Sequence, residues 1–543
     1  MRLCPPCSLR SLALAALALA APARAQFTDV STAAGLDLTD MYWSATGHGI
    51  GLVWIDANND LYPDIFVTNG FGMDEHFYLN NGDGTFTKRD DLLPPLPDVD
   101  MMGAIFADYD NDGDQDIYVF TENEDFELWL SNDPTGPANL LLQNQFVESG
   151  NQIPNGAPLF LEVAQAAGVT TLGNPETGAY QGYRSSTGGW LDFDRDGWVD
   201  LYVVNWVLQE NTNVGNLDIL YRNNGDGTFT DVTVQAGLPD GTDPNQIRAG
   251  LGWVSADLNG DDWPDMIVVN VHNPDPHHYD QIWLNNQDGT FMDATSLSPG
   301  FGDDSGAGMG ADVGDFDLDG DFDLWISDMY VNPVDQSDGN PFYINHGDGT
   351  FTDNVASLVG AEGNNSWAVI FADFDRDGYE DMFMNGMGGI PPYLYWNQQD
   401  RTFLQVGWQA GFRNADEKGR GAAVADYDLD GDLDVALVSH NASMRLFRND
   451  TDVPYHWLKV RLEGTVSNRS AIGAIVKVRV GPQMTELVRT VKGGSGAHSQ
   501  NELTVHFGLN LAPVVRELEV RWPSGQVDLL TDVAVDQELI LIE

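Results

Sequence analysis

Short apolar runs recur along this chain with a β-strand period, and each follows a stretch of acidic residues. Asp64-Ile-Phe-Val-Thr, Asp116-Ile-Tyr-Val-Phe, Asp200-Leu-Tyr-Val-Val and Asp265-Met-Ile-Val-Val are rich in β-branched and aromatic side chains and read as buried strands. A second set of strands opens on Phe86, Phe160, Phe229, Phe291, Phe351 and Phe403. Most of these follow a hairpin turn such as Asn80-Asn81-Gly82-Asp83-Gly84-Thr85, which reads as a turn and nothing more. Glycines (Gly49/Gly51, Gly103, Gly188/Gly189, Gly250/Gly252, Gly308/Gly310, Gly419/Gly421) precede the acidic stretch in six of seven units, and Asn365-Ser366 replaces them in the sixth unit. Small residues suit strands crowded around an axis. Each unit thus predicts four strands, and the units repeat every 52 to 84 residues. The pattern predicts an all-β chain built around a seven-bladed β-propeller from residue 26 to about 452. Phe27-Thr-Asp-Val-Ser-Thr-Ala-Ala-Gly-Leu36 parallels Phe229 to Leu238, so the N-terminal strand is expected to complete the last blade and leave no open edge.

The acidic stretches are nonapeptides with carboxylate or amide side chains at positions one, three, five and nine. They comprise Asp56, Asn58, Asp60, Asp64; Asp108, Asp110, Asp112, Asp116; Asp192, Asp194, Asp196, Asp200; and Asp257, Asn259, Asp261, Asp265. The remaining three comprise Asp315, Asp317, Asp319, Asp323; Asp373, Asp375, Asp377, Asp381; and Asp426, Asp428, Asp430, Asp434. Two such charges about 5 Å apart repel by roughly 3 kcal/mol at an effective dielectric of about 20, so the loops need a cation to close. Alternating hard oxygens in flexible geometry suit Ca²⁺, and up to seven ions are expected. Position seven can add its backbone carbonyl, and position nine a carboxylate binding through both oxygens. Gly113, Gly197, Gly320, Gly378 and Gly431 at position six permit a turn with positive φ. Leu61 and Asp262 stand there in the first and fourth loops, which also carry Asn58 and Asn259 and are expected to bind more weakly. An EF-hand is excluded by the missing Glu at position twelve and the β context. The competing reading, polar turns without metal, is disfavoured by seven copies in one register.

Charge and targeting set the compartment. The formal net charge is −58, carried almost wholly between residues 26 and 454, and seven Ca²⁺ would leave the surface strongly acidic. Nucleic acid and anionic membranes are therefore excluded as direct partners. Residues 1–25 read as a cleavable signal peptide, with Arg2 and Arg10, an apolar core from Leu12 to Ala21, and Ala23-Arg24-Ala25 before the cut. Both cysteines, Cys4 and Cys7, fall inside it. An exported chain without disulfides needs other staples, so an extracellular or periplasmic location, no membrane insertion and a monomer are expected.

From residue 457 to 543 the strands alternate without acidic loops, predicting a small β-sandwich or barrel-like domain. Its motifs Ala471-Ile-Gly-Ala474, Gly493-Gly-Ser-Gly496, Ser499-Gln-Asn501, His506-Phe-Gly-Leu509 and Trp522-Pro-Ser-Gly525 resemble the ASPIC/UnbV domain. The upstream repeats resemble FG-GAP/VCBS repeats, and the order of the two resembles the cartilage acidic protein-like family. That resemblance implies calcium ligands at the D-x-[DN]-x-D-G-x-x-D positions and assigns no catalytic role. His498 stands near a family Tyr, a departure expected to alter surface contacts only.

No G-x-S-x-G, H-E-x-x-H, phosphate-binding glycine loop or cysteine nucleophile is present in the mature sequence. The expectation is a calcium-stabilised binding or adhesion protein without catalysis, acting on an extracellular protein or glycan. The alternative is a polysaccharide-binding or polysaccharide-cleaving propeller, using His440, His506 or Arg184 for chemistry and Trp190, Trp253 or Trp367 for stacking on sugars. His277 and His278 are weak candidates for a transition metal, and the insertion Ser131 to Pro158 is a candidate binding loop.

Overall fold

The computed structural model describes residues 26–36, 50–70, 72–122, 138–154, 156–171, 184–209, 214–215, 217–240, 248–271, 280–302, 307–329, 340–353, 358–359, 366–386, 391–412, 419–439 and 444–543. The signal-peptide residues, His277, His278 and His440 lie outside them.

Among the described residues, seven antiparallel sheets of four strands succeed one another along the chain, and the sixth gains a short fifth strand, Leu358–Val359. Their innermost strands are Leu52–Ile55, Asp100–Ala107, Ser185–Leu191, Gly250–Ala256, Ala307–Gly314, Ser366–Ala372 and Gly419–Ala425. Each lies beside the next in chain order, and the seventh lies beside the first, so the sheets form a ring. In every sheet an acidic loop joins the innermost strand to the second, and the outermost strand opens on one of the predicted phenylalanines. Phe27–Asp29 completes the seventh sheet, pairing Phe27 with Asn449 and Asp29 with Phe447. The second sheet draws its third strand, Leu140–Asn144, from the stretch that the sequence suggested was a binding loop. Apart from half-buried Ser255, the innermost and second strands are buried on both faces where described, which explains their apolar runs.

The last strands form two sheets. One orders Val505–Asn510, His456–Glu463 and Gln537–Ile542; the other orders Thr485–Thr490, Ile475–Val480, Val515–Arg521 and Val527–Val533. Leu458, Val460, Val476, Val478, Phe507, Leu518 and Trp522 share a core that runs on into the second and third ring sheets through Tyr118, Trp190 and Leu201.

The glycines of the inner strands sit where the ring is crowded, as the sequence suggested, but the crowding has two sources. Gly51, Gly103, Gly310 and Gly421 make room for Gly493–Gln500 of the terminal module, which crosses the centre of the ring, whereas Gly188, Gly189, Gly250, Gly252, Gly308 and Gly419 are hemmed in by adjoining ring strands. A Cβ on Gly51 or Gly103 would collide with His498, one on Gly421 with the Ser499 hydroxyl, and one on Gly310 would lie 2.6 Å from the Gly496 carbonyl oxygen. Gly493 bridges Trp190, Gly496 bridges Ala311, and Gln500 bridges Val53. Gln500 also accepts from the Phe106 N–H at 2.7 Å and donates to its carbonyl at 3.0 Å. His498 is buried, its Nδ1 2.8 Å from the Ser186 carbonyl, and burial lowers its pKa to about 4. The departure from the family Tyr therefore bears on an internal contact, not on the surface.

A ring of asparagines joins neighbouring sheets. The third strand of each sheet ends on Asn80, Asn144, Asn223, Asn285, Asn345, Asn397 or Asn449, and all seven are buried. Each side-chain amide donates to the second-position carbonyl of the preceding acidic loop: Tyr427, Ala57, Tyr109, Phe193, Leu258, Phe316 and Phe374 respectively, at 2.8–3.0 Å. Asn223→Ala strands the Tyr109 and Val199 carbonyls, at a cost of about 1–3 kcal/mol for each buried group left unpaired. Asn224→Ala removes only exposed bonds, one donated to Thr228 and one accepted from Thr230, and should cost under about 0.5 kcal/mol. Denaturant midpoints of the two variants check this contrast.

Candidate metal centres

The seven acidic loops share one backbone. Position four is left-handed in all of them: Asn59, Asn111, Arg195, Gly260, Leu318, Arg376 and Leu429 have φ between 54° and 73°. Position six is also left-handed, in Leu61 (75°) and Asp262 (67°) as well as in the five glycines (90–104°). The non-glycine residues of the first and fourth loops thus accept the strained turn without changing its shape. The carboxylate at position one holds the turn. Asp108 accepts from the N–H groups of Asp112 (3.0 Å) and Gly113 (2.8 Å), and the same bond from position five recurs on Asp56, Asp192, Asp257, Asp315, Asp373 and Asp426.

Position nine plays a part that the sequence did not reveal. Asp64, Asp116, Asp200, Asp265, Asp323, Asp381 and Asp434 each accept, on Oδ1, the backbone N–H of the asparagine ending the third strand, at 2.7–2.9 Å. In six loops Oδ2 accepts the N–H of position two as well. This carboxylate is first a tie between strands, with one lone pair left on each oxygen for a cation.

The donor set fits a hard cation. Single oxygens from Asp108, Asp110 and Asp116 lie within 4.8 Å of one another, as do those from Asp192, Asp194 and Asp200, from Asp315, Asp317 and Asp319, and from Asp373, Asp375 and Asp381. Buried oxygens on Asp110, Asp112, Asp194, Asp315, Asp317, Asp323 and Asp428 accept no hydrogen bond. Such orphans are costly unless something positive meets them. Burial, followed by neighbouring charges, pushes Asp108, Asp192 and Asp315 up to about 7, Asp428 to about 6 and Asp323 to about 9.

These shifts fix a pH dependence for the metal-free protein. A folded pKa above the unfolded value of about 4 means that the native state holds the proton more tightly. Stability is then fullest below that value and falls as pH rises through about 6 to 9. Metal-free protein should melt higher at pH 5.5 than at pH 8.5. Saturating calcium should cancel or invert that order, because metal and proton compete for the same oxygens. Thermal melts of dialysed protein across this range test both statements.

Basic side chains reach several loops, and spacing gave no sign of them. Arg461 pairs with Asp56 at 2.8 Å, Arg222 with Asp194 at 2.5 Å and Asp196 at 2.7 Å, and Arg401 with Asp317 at 2.9 Å. Buried Lys459 lies 3.4 Å from Asp426. Arg461 supplies a fixed positive charge in the first loop, where Asn58 also lowers the negative charge. The loops face the terminal module. Ser470 accepts the Asp108 N–H, Glu502 accepts the Asp426 N–H, and His506 Nε2 sits 3.0 Å from the Gly431 carbonyl. Burial lowers the His506 pKa to about 3, so this histidine is a neutral packing group. Arg184 pairs with buried Glu122 at 3.0 Å, and Trp190, Trp253 and Trp367 are buried, which removes them as sugar platforms. The hairpin turns need no ion: Asp83, Asp226, Asp288, Asp348 and Asp400 each accept from the threonine two residues on.

Residues 56–119, 192–250, 257–326 and 325–384 match the FG-GAP-like repeat, and residues 464–543 match the ASPIC and UnbV family. The chain is an FG-GAP-repeat protein that ends in an ASPIC/UnbV domain. It is 28% identical to cartilage acidic protein 1 of Xenopus tropicalis over 62% of this chain and 51% of that one. It is 30% identical to the Homo sapiens protein over 45% of this chain and 37% of that one. The FG-GAP/ASPIC chain thus spans about half the length of these relatives or less. Among solved structures it is similar to an Agrocybe aegerita lectin that recognises non-reducing terminal N-acetylglucosamine (18% identity, TM-score 0.39, 67% of this chain and 81% of that one). It is also similar to the exotype rhamnogalacturonan lyase YesX (12% identity, TM-score 0.37, 75% and 72%). At these TM-scores the likeness is loose, and the sheets themselves define the fold. No described helix is long and apolar enough to cross a membrane.

Proposed function

We propose that this is an exported, calcium-stapled binding protein that acts by recognition rather than by catalysis, outside the cell or in the periplasm. The observation that carries this reading is the placement of the acidic loops. They lie inside a ring whose centre is filled by Gly493–Gln500, and their backbones hold the terminal module. Calcium at positions one, three, five and nine would neutralise the orphaned carboxylates and hold the loops closed. The loops are thereby committed to holding the fold together, and the candidate chemical groups His506 and Arg184 to packing and pairing. Recognition falls to the remaining surface, whose acidity favours a neutral glycan or a basic protein of the matrix over polyanions.

The test is retention of purified protein on extracellular-matrix proteins and on a glycan array, in calcium and in EGTA, with the supernatant assayed for released saccharide. Calcium-dependent retention without release is expected. Release of saccharide fragments would replace this reading with a polysaccharide-cleaving propeller.

A further inference from the structure

The second sheet departs from the others beside its acidic loop. Where five sheets turn through a short loop with Asp at its third position (Asp83, Asp226, Asp288, Asp348 and Asp400), this one inserts Gln145–Gly150 after its third strand. Two bonds pin the inserted segment to the loop: Gln143 donates to Asp110 at 2.6 Å, and the Val147 N–H donates to Asp114 Oδ2 at 2.9 Å. The segment carries Glu148 over the loop, and single oxygens of Asp112, Asp114 and Glu148 then lie within 4.8 Å of one another. Asp114 occupies position seven, where only a backbone carbonyl was expected to matter. Its side chain is fully buried, and its Oδ1 accepts no hydrogen bond. Asp112 Oδ2 is likewise buried and unmet. Among the described residues no lysine or arginine pairs with any of the three, and Arg469, which passes Gly113, pairs with Glu463 instead.

We propose that Asp112, Asp114 and Glu148 hold a second divalent cation beside the one in the second loop, making this site binuclear with Asp112 common to both. Three carboxylate oxygens on a partly open rim suit Ca²⁺, with water completing its shell. Position seven is aromatic in four loops (Tyr62, Trp198, Trp263 and Tyr379); Asp321 and Asp432 also stand there, but Asp432 pairs with Arg376 at 2.9 Å, and the added Glu148 belongs to the second sheet.

The test is the calcium content of the full chain, by elemental analysis after dialysis against millimolar calcium, for wild type, E148Q and D114N. Both variants should hold one ion fewer per chain than wild type. E148Q changes an exposed side chain outside the nonapeptide and should keep the wild-type fold, so it reads the site even if D114N folds poorly. An unchanged count in E148Q would overturn the proposal. It would leave Glu148 as an added ligand of the loop ion or as a carboxylate sharing a proton with Asp112.

Discussion

Stripping calcium with excess EGTA should lower the melting temperature by roughly 10 °C or more. A site whose ligand stands a hundredfold above its Kd adds about 2.7 kcal/mol, and several sites act on one cooperative ring. The effect is not confined to the loops. Each loop presents its second-position carbonyl to the asparagine of the following sheet, as Tyr109 does to Asn223 and Leu258 to Asn345. A loop that opens under its own charge lets go of its neighbour. Calorimetry with and without chelator reads this directly, and a melt that EGTA leaves unchanged would end the stapling account.

Lys459→Ala should cost about 3–5 kcal/mol, the range for removing one partner of a buried ion pair. Lys459 is 1% exposed, with Asp426, Glu502 and Glu538 at 3.4, 3.4 and 3.8 Å. Burial already pushes Glu502 up to about 6 against the pull of the lysine. Without the ammonium, three carboxylates face one another between the first position of the seventh loop and the terminal module. Lys459→Met retains the packing and should lose nearly as much, while Lys459→Arg should keep most of the stability. A denaturant midpoint within about 0.5 kcal/mol of wild type for the Met variant would show that the charge is irrelevant there.

Much of this was written locally in the chain. Loop spacing, the apolar runs after Asp64 or Asp200, and the recurrence of the Phe27 strand predict the four-stranded sheets and the closure of the last one by the N-terminal strand, because strand pattern and turn chemistry depend on neighbours in sequence. What escaped notice depends on partners far along the chain. Asn223 reads as a turn residue, yet its amide reaches Tyr109, 114 positions away. The glycines announced crowding but not its source, since His498 and Gly496 come from the other domain. Arg461 and Lys459 fall on an ordinary alternating strand and meet Asp56 and Asp426 only once the module docks. Position seven reads as a backbone-carbonyl ligand, and the side chain of Asp114 meets Val147 and Glu148 only through the insert of the second sheet.

The most direct measurement is a long-wavelength anomalous difference map from crystals grown in calcium. Discrete peaks should lie among the carboxylates of positions one, three and five in the loops led by Asp108, Asp192, Asp315, Asp373 and Asp426, with weaker peaks at Asp56 and Asp257. Loops closed in the same shape with no anomalous density would contradict the claim that cations hold this ring together.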